Sequence, residues 1–217
     1  AKITIWNEFV HEQSDDACGE RCRKHYPKGI HAYLKKVLGP ALEGCAIRAV
    51  SLDMPENGLP GKVLDTTDVL VWWGHAAHDK LPVELVDRIQ RRVLGGMGLV
   101  VLHSGHMSKI FRRMLGTPCT LRWREIGEKE RVWTCDPAHP IAQGVPETFA
   151  IEHTEMYGEP FGVPDDAHVV FMSWYAGGNV FRSGVTLQRG LGRIFYFAPG
   201  HETLPIYHQP EVQRVIA

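Results

Sequence analysis

Cysteine is scarce: the 217 residues include five, Cys18, Cys22, Cys45, Cys119 and Cys135. An odd number, in a chain long enough to bury a core without staples, argues against a disulfide framework. Cys18 and Cys22 are spaced as C-x-x-x-C, but no second pair follows them, so they make no zinc motif by themselves. Charge of one sign is missing too. Lys and Arg total 24 against 25 Asp and Glu, a formal net charge of −1, which leaves no basic face for nucleic acid and no polybasic segment for an anionic membrane. Nor does any apolar run approach the roughly 20 residues of a membrane span. The opening AKITIWNEF reads as a strand and not as a signal peptide, so a cytoplasmic location is expected. No charge block or Pro/Ser-rich linker divides the chain, and with 44% hydrophobic residues the expectation is one domain over residues 1–217. Small molecules are the expected partners.

What is present is a β-α-β rhythm. Lys2 to Trp6 forms a first central strand that runs out at Asn7-Glu8. Phe9 to Tyr26 is polar and irregular, and reads as a long connection of the kind that often carries function. Pro27 opens a helix with Ile30, Tyr33, Leu34, Val37 and Leu38 at helical spacing, closed by Gly39-Pro40. Strands follow at Ala46 to Leu52 and Val69 to Trp73. A helix after Pro82 sets Leu85, Val86, Ile89 and Val93 on one face against Asp87, Arg88, Arg91 and Arg92 on the other. The apolar stretch Leu99 to Leu102 stops abruptly at His103-Ser104-Gly105-His106 before a helix over Lys109 to Leu115, which is a strand-to-helix elbow. Alternation of strand and helix predicts a mainly parallel sheet with right-handed crossovers, covered by helices on both faces. After Gly116 the pattern changes. Thr120 to Ile126 and Glu130 to Cys135 read as a hairpin around Gly127, appended outside the parallel sheet. Strands at Phe149 to Tyr157, His168 to Trp174, Val180 to Leu187 and Arg193 to Phe197 follow, and a last helix near Pro210 stops in mid-pattern at Ala217, which suggests a continuing chain.

Histidine is where the chemistry concentrates. Of 12 histidines, His75 and His78, His103 and His106, His201, and more loosely His11 fall directly after predicted strands, near Glu8, Glu12, Asp79 and Glu202. Parallel strands present their carboxyl ends on one side, so these residues converge on one rim, where open α/β sheets bind ligands. Neutral imidazoles with a carboxylate suit a divalent ion such as zinc with one position left open, and they suit proton transfer near neutral pH. Any one of these residues is more often a solvated or backbone-bonded histidine. For His103 the elbow reverses that balance, because it aims the side chain at the crevice. His11, His75, His103 and His201 are the candidate metal ligands. His103, Glu155, Tyr157, His106 and Glu8 are the candidate catalytic groups, with Glu155 or Glu8 as proton acceptor and Tyr157 or His106 orienting a hydroxyl. Trp174 and Tyr175, beside a Gly-Gly loop, are candidates for stacking on a sugar ring, and His78 and Glu202 for binding substrate. His31, on a helix, reads as structural.

The elbow LHSGH resembles the nucleophile elbow of class I glutamine amidotransferases, with His103 where that family has its cysteine. Pro199-Gly200-His201-Glu202 resembles its late histidine, with the glutamate displaced by one residue. Thiol chemistry at the elbow is thereby excluded, and the Cys-His-Glu mechanism does not transfer. WNEFVHE, YPKGIH, TDVLVWWGHAAHD, GMGLVVLHSGHMSKIF, EMYGEPF, VFRSG and IFYFAPGHET together resemble the ThuA-like, trehalose-utilisation family along essentially the whole chain. That resemblance implies a flavodoxin-like, three-layer α/β/α fold of glutamine amidotransferase type. It also implies a role in the uptake and breakdown of trehalose or a related disaccharide, with a sugar oxidoreductase among the partners; copies of the chain itself are a further expected partner. The leading functional expectation is a metal-assisted isomerase, lyase or hydrolase acting on a sugar or keto sugar. The competing one is a non-catalytic sugar-binding or regulatory subunit of a sugar oxidoreductase.

Overall fold

A computed structural model describes all of residues 1–217. Nine strands form one sheet in the order β2-β1-β3-β4-β9-β8-β7-β5-β6. The parallel half holds β2 (Ala46–Ser51), β1 (Lys2–Asn7), β3 (Val69–Trp73), β4 (Gly98–Leu102) and β9 (Gly192–Phe197), each parallel to its neighbour. Beyond β9 the pairing turns antiparallel through β8 (Val180–Arg189), β7 (His168–Tyr175), β5 (Arg122–Thr134) and β6 (Thr148–Gly158).

Six α-helices complete the fold: α1 (Ala17–His25), α2 (Ile30–Leu38), α3 (Gly61–Leu64), α4 (Val83–Leu94), α5 (Lys109–Leu115) and α6 (Pro210–Ile216). The apolar stripe of α4, Leu85, Val86, Ile89 and Val93, packs with Ile110 and Phe111 of α5 against Trp72, Leu99 and Val101 on one face of the sheet. On that face Trp6 and Trp72 stack at 3.8 Å with planes 12° apart, a geometry worth about 0.5–1.5 kcal/mol beyond the area it buries. On the other face Ile30, Leu34 and Leu38 of α2 join Val212 and Val215 of α6 over Ile3, Ile5 and Phe197. Helices thus cover both faces of the sheet, giving the expected three layers.

Two local expectations are corrected. The expected Thr120–Cys135 hairpin is one strand, β5, lying inside the sheet between β7 and β6. Gly127, at φ +72°, marks register shifts between Arg124, Glu128 and Glu130 where a turn was expected. Shifts of this kind bend a ribbon without ending it. The long polar connection Phe9–Tyr26 also contains a helix. α1 buries only Gly19 and Cys22, too little for a hydrophobic stripe, and is started by the Asp16 carboxylate accepting the Gly19 N–H at 2.9 Å.

Candidate active site

The elbow after β4 is strained. His103 has φ +49°, a left-handed conformation that costs a residue with a side chain roughly 1–2 kcal/mol, and the chain then turns through a 3₁₀ segment, His103–Met107, into α5. Surrounding contacts hold it there. Tyr196 Oη donates to the His103 carbonyl at 2.9 Å. A Cβ on Gly105 would sit 2.7 Å from Val101 Cγ1, and one on Gly200 would sit 3.0 Å from His103 Cβ. Glycine at 105 lets the elbow fold back against β4, and glycine at 200 lets the segment after β9 close on it.

Two clusters of donors meet on the rim. The inner one is His103, Glu155 and His201, all buried, with donor atoms within 4.8 Å of one another. His103 Nδ1–H donates to the Ala198 carbonyl at 3.2 Å, which assigns the ring's tautomer and leaves a lone pair on Nε2. That lone pair faces Glu155 Oε2 at 3.4 Å, and neither atom has a hydrogen bond. Burial, reinforced by His201, holds the His103 pKa well below the ordinary imidazole value. Burial pushes Glu155 up to about 7, so near neutrality the proton between them belongs to the carboxyl. The His103 ring lies flat on Tyr157, 5.3 Å away and 8° from coplanar, and the Tyr157 and Ser104 hydroxyls are 3.0 Å apart. At His201 the Thr203 amide donates to Nδ1 at 3.1 Å. Nε2 therefore carries the proton, 3.5 Å from Glu125 Oε1. As bonded, His201 is a hydrogen-bond donor with no lone pair for a metal, contrary to its expected ligand role.

The outer cluster surrounds Glu202. Its Oε1 lies 3.3 Å from His75 Nδ1 and 3.8 Å from His11 Nε2, and the His11 and His75 rings stack at 4.9 Å. Burial alone would raise the Glu202 pKa, but the contact with His75 holds it well below the carboxylate range. His75 shifts the other way: burial opposes its charge, and Glu202 overcomes burial to raise its pKa. The four expected metal ligands are thus spread over two clusters: His11 and His75 face Glu202, His103 faces Glu155, and His201 stands between them, its Nδ1 3.8 Å from Glu202 Oε2.

A cavity of about 540 Å³ opens over the inner cluster, lined by His75, His78, Ser104, His106, Tyr157 and Glu155, with Met107, Leu121, Trp123 and Glu125 at its mouth. Burial lowers the pKa of His78, and of His106 to about 4, so both face the cavity neutral. His103 is absent from the lining; it sits behind Glu155 and Tyr157, where the crevice itself was expected. Glu8 accepts the amide N–H groups of Ala76 at 2.7 Å and Ala77 at 2.9 Å. It clamps the loop carrying His75, and with both oxygens engaged it is no free proton acceptor. Glu202 does not line the cavity either, and acts on it through His75. Trp174 is exposed on β7 away from the cavity, and Tyr175 is buried with its hydroxyl donating to Glu130 at 3.3 Å; neither can stack on a sugar there. Trp123, 65% exposed, is the aromatic at the mouth, and the sequence pattern gave no sign of it or of Glu125. His31 is buried against Asn7 and Phe9, and His168 pairs with Asp136 at 2.8 Å, both outside the cavity lining.

No helix is long and apolar enough to cross a membrane. Known structures share the fold. A protein of Bacteroides uniformis described as ThuA-like aligns over 99% of this chain and 87% of its own, at 14% identity and a TM-score of 0.67. A cytoplasmic protein of Salmonella typhimurium aligns over 100% and 96%, at 15% identity and 0.67. A protein of Thermoplasma acidophilum described as belonging to a GMP synthase aligns over 99% and 92%, at 15% and 0.52, in keeping with the glutamine amidotransferase-like architecture. No curated protein matches the sequence. The trehalose utilisation model, ThuA, matches residues 2–217, and the chain belongs to that family.

Proposed function

We propose that the protein is a metal-assisted enzyme of disaccharide utilisation that transfers a proton on a keto sugar held in the cavity over Glu155. The observation that carries this reading is the contact between His103 Nε2 and Glu155 Oε2, two buried lone-pair atoms 3.4 Å apart and otherwise unpartnered. A carboxyl at about 7, on a cavity wall, can take and return a proton near neutral pH. The C–H beside a sugar carbonyl is the proton such a group is suited to remove. His103, hidden from the cavity, positions Glu155 and accepts its proton's hydrogen bond. The neutral His106 and His78 offer hydrogen bonds to sugar oxygens, and Tyr157 with Ser104 orients a hydroxyl. Because the substrate is an oxidised sugar, a sugar oxidoreductase is the partner activity that would supply it.

The donors that fit a divalent ion are those on Glu202. Bonds of about 2.0–2.2 Å in a tetrahedral shell set ligand atoms about 3.3–3.5 Å apart, against the 3.3 Å and 3.8 Å from Glu202 Oε1 to His75 and His11. His75 Nδ1 and Glu202 Oε2 are buried there without hydrogen bonds. Bound there, an ion such as zinc supplies Lewis acidity toward a sugar oxygen. The test is incubation of trehalose and a keto-disaccharide with the protein in D₂O, with and without a chelator. Deuterium entering the keto sugar, and ceasing on chelation, is expected. Sugar binding with no exchange or turnover under either condition would replace this reading with a non-catalytic sugar-binding subunit.

A further inference from the structure

We infer that the Cys18 thiolate is a ligand of the outer cluster, which makes it a mixed sulfur, nitrogen and oxygen site selective for zinc; the inference rests on the cation position proposed above. The Cys18 Sγ, a ring nitrogen of His11 and a carboxylate oxygen of Glu202 lie within 4.8 Å of one another. Glu202 is 4% exposed, and its Oε2 has no hydrogen-bond partner. A buried carboxylate left unsatisfied beside a thiol and two imidazoles is a costly arrangement that a cation would relieve. Zinc–sulfur and zinc–nitrogen bonds of about 2.3 and 2.0 Å would need these donors to draw in by about 1 Å.

The donors come from separate, braced elements. Cys18 lies in the first turn of α1. Arg23 of the same helix donates to the carbonyls of Glu12 at 2.8 Å and Ser14 at 2.7 Å, tying α1 to the turn that bears His11. Glu8, clamped on Ala76 and Ala77, fixes the loop that brings His75. Cys22, one turn further along α1, is fully buried and belongs to the helix's packed side. Thiolate with imidazole and carboxylate suits zinc or cobalt and disfavours magnesium, calcium and manganese. Cys18 thus belongs to a site completed by residues from two distant loops, which its spacing to Cys22 does not reveal.

Cobalt(II) titration of the full chain tests this, because a thiolate ligand adds a near-ultraviolet charge-transfer absorption that nitrogen and oxygen ligands lack. One equivalent with that absorption is expected. Cys18→Ser, checked by its thermal melt, should lose the absorption and bind cobalt at least about tenfold more weakly, while magnesium fails to compete. Cobalt bound without the absorption, or with it surviving Cys18→Ser, overturns the thiolate and leaves the cation position standing. Wild-type protein that binds no cobalt overturns both.

Discussion

Glu155 on β6 and Glu130 on β5 are two buried carboxyls that burial pushes to about the same pKa, about 7. Their surroundings differ. Glu130, in the antiparallel half, accepts hydrogen bonds from Ser173 Oγ at 2.6 Å and Tyr175 Oη at 3.3 Å and does not line the cavity over the rim. Glu155 keeps one oxygen unpartnered against His103 and lines the cavity over the rim. A raised pKa alone therefore does not mark a reacting group. What separates the two is access to a ligand and a lone pair left facing another lone pair, which only a proton or cation can reconcile.

The largest test of that contrast is turnover. Glu155→Gln should lower kcat by about 10²- to 10⁴-fold, the usual weight of a general base, while Glu130→Gln stays within about twofold of wild type. Equal losses in the two variants would erase the distinction. Next is His103→Ala, which removes the partner that positions Glu155. A loss of about 10- to 100-fold is expected, as for groups that orient a reacting residue, with the pH profile displaced in the variant. His168→Ala, on the Asp136 ion pair, should leave activity and profile unchanged.

The third test is pH. Glu155 accepts a proton only when ionised, so kcat/KM should rise about tenfold per unit below pH 7 and level off above it. A profile flat from pH 5 to 8 would remove Glu155 from the proton transfer. The smallest effect is on stability, where the two carboxyls should behave alike. Both are raised above the ordinary value of 4.5, so the folded state binds more protons than the unfolded chain between about 4.5 and 7. Stability falls as pH rises through that window. Glu130→Gln, which keeps an acceptor for Ser173 and Tyr175, should flatten part of this slope and raise Tm at pH 8, by roughly 2–4 °C for each kcal/mol recovered. A lower Tm at pH 8 would mean that the carboxylate is better tolerated in the core than its burial suggests.

Much of the architecture was readable along the chain. Val69 to Trp73 and Lys109 to Leu115 match β3 and α5 residue for residue, because a continuous apolar run and a 3.6-residue stripe are local patterns. The elbow was readable for the same reason: β-branched residues stop at His103, and Gly105 gives the turn its room. α1 escaped because it buries so little, and the long β5 because Gly127 reads as a turn when its partner strands are unknown. For the site, the histidines that follow strands were found, since parallel strands must present them on one rim.

By itself the sequence determined that this is a sheet with helices on both faces and a rim rich in imidazole and carboxylate, since residue spacing sets element type and strand polarity sets the rim. Only the tertiary structure decided how those groups divide. The shifted register of β5 and β6 brings Glu155, Tyr157, Trp123 and Glu125 to the cavity while Trp174 and Tyr175 stay elsewhere. The Ala198 carbonyl and the Thr203 amide assign opposite tautomers to His103 and His201. Glu8 is spent on two backbone amides, and Glu202 gathers His11 and His75. Each outcome depends on a contact between residues far apart in the chain, where hydrogen-bond geometry and burial choose among chemical roles that the residue types alone leave equal.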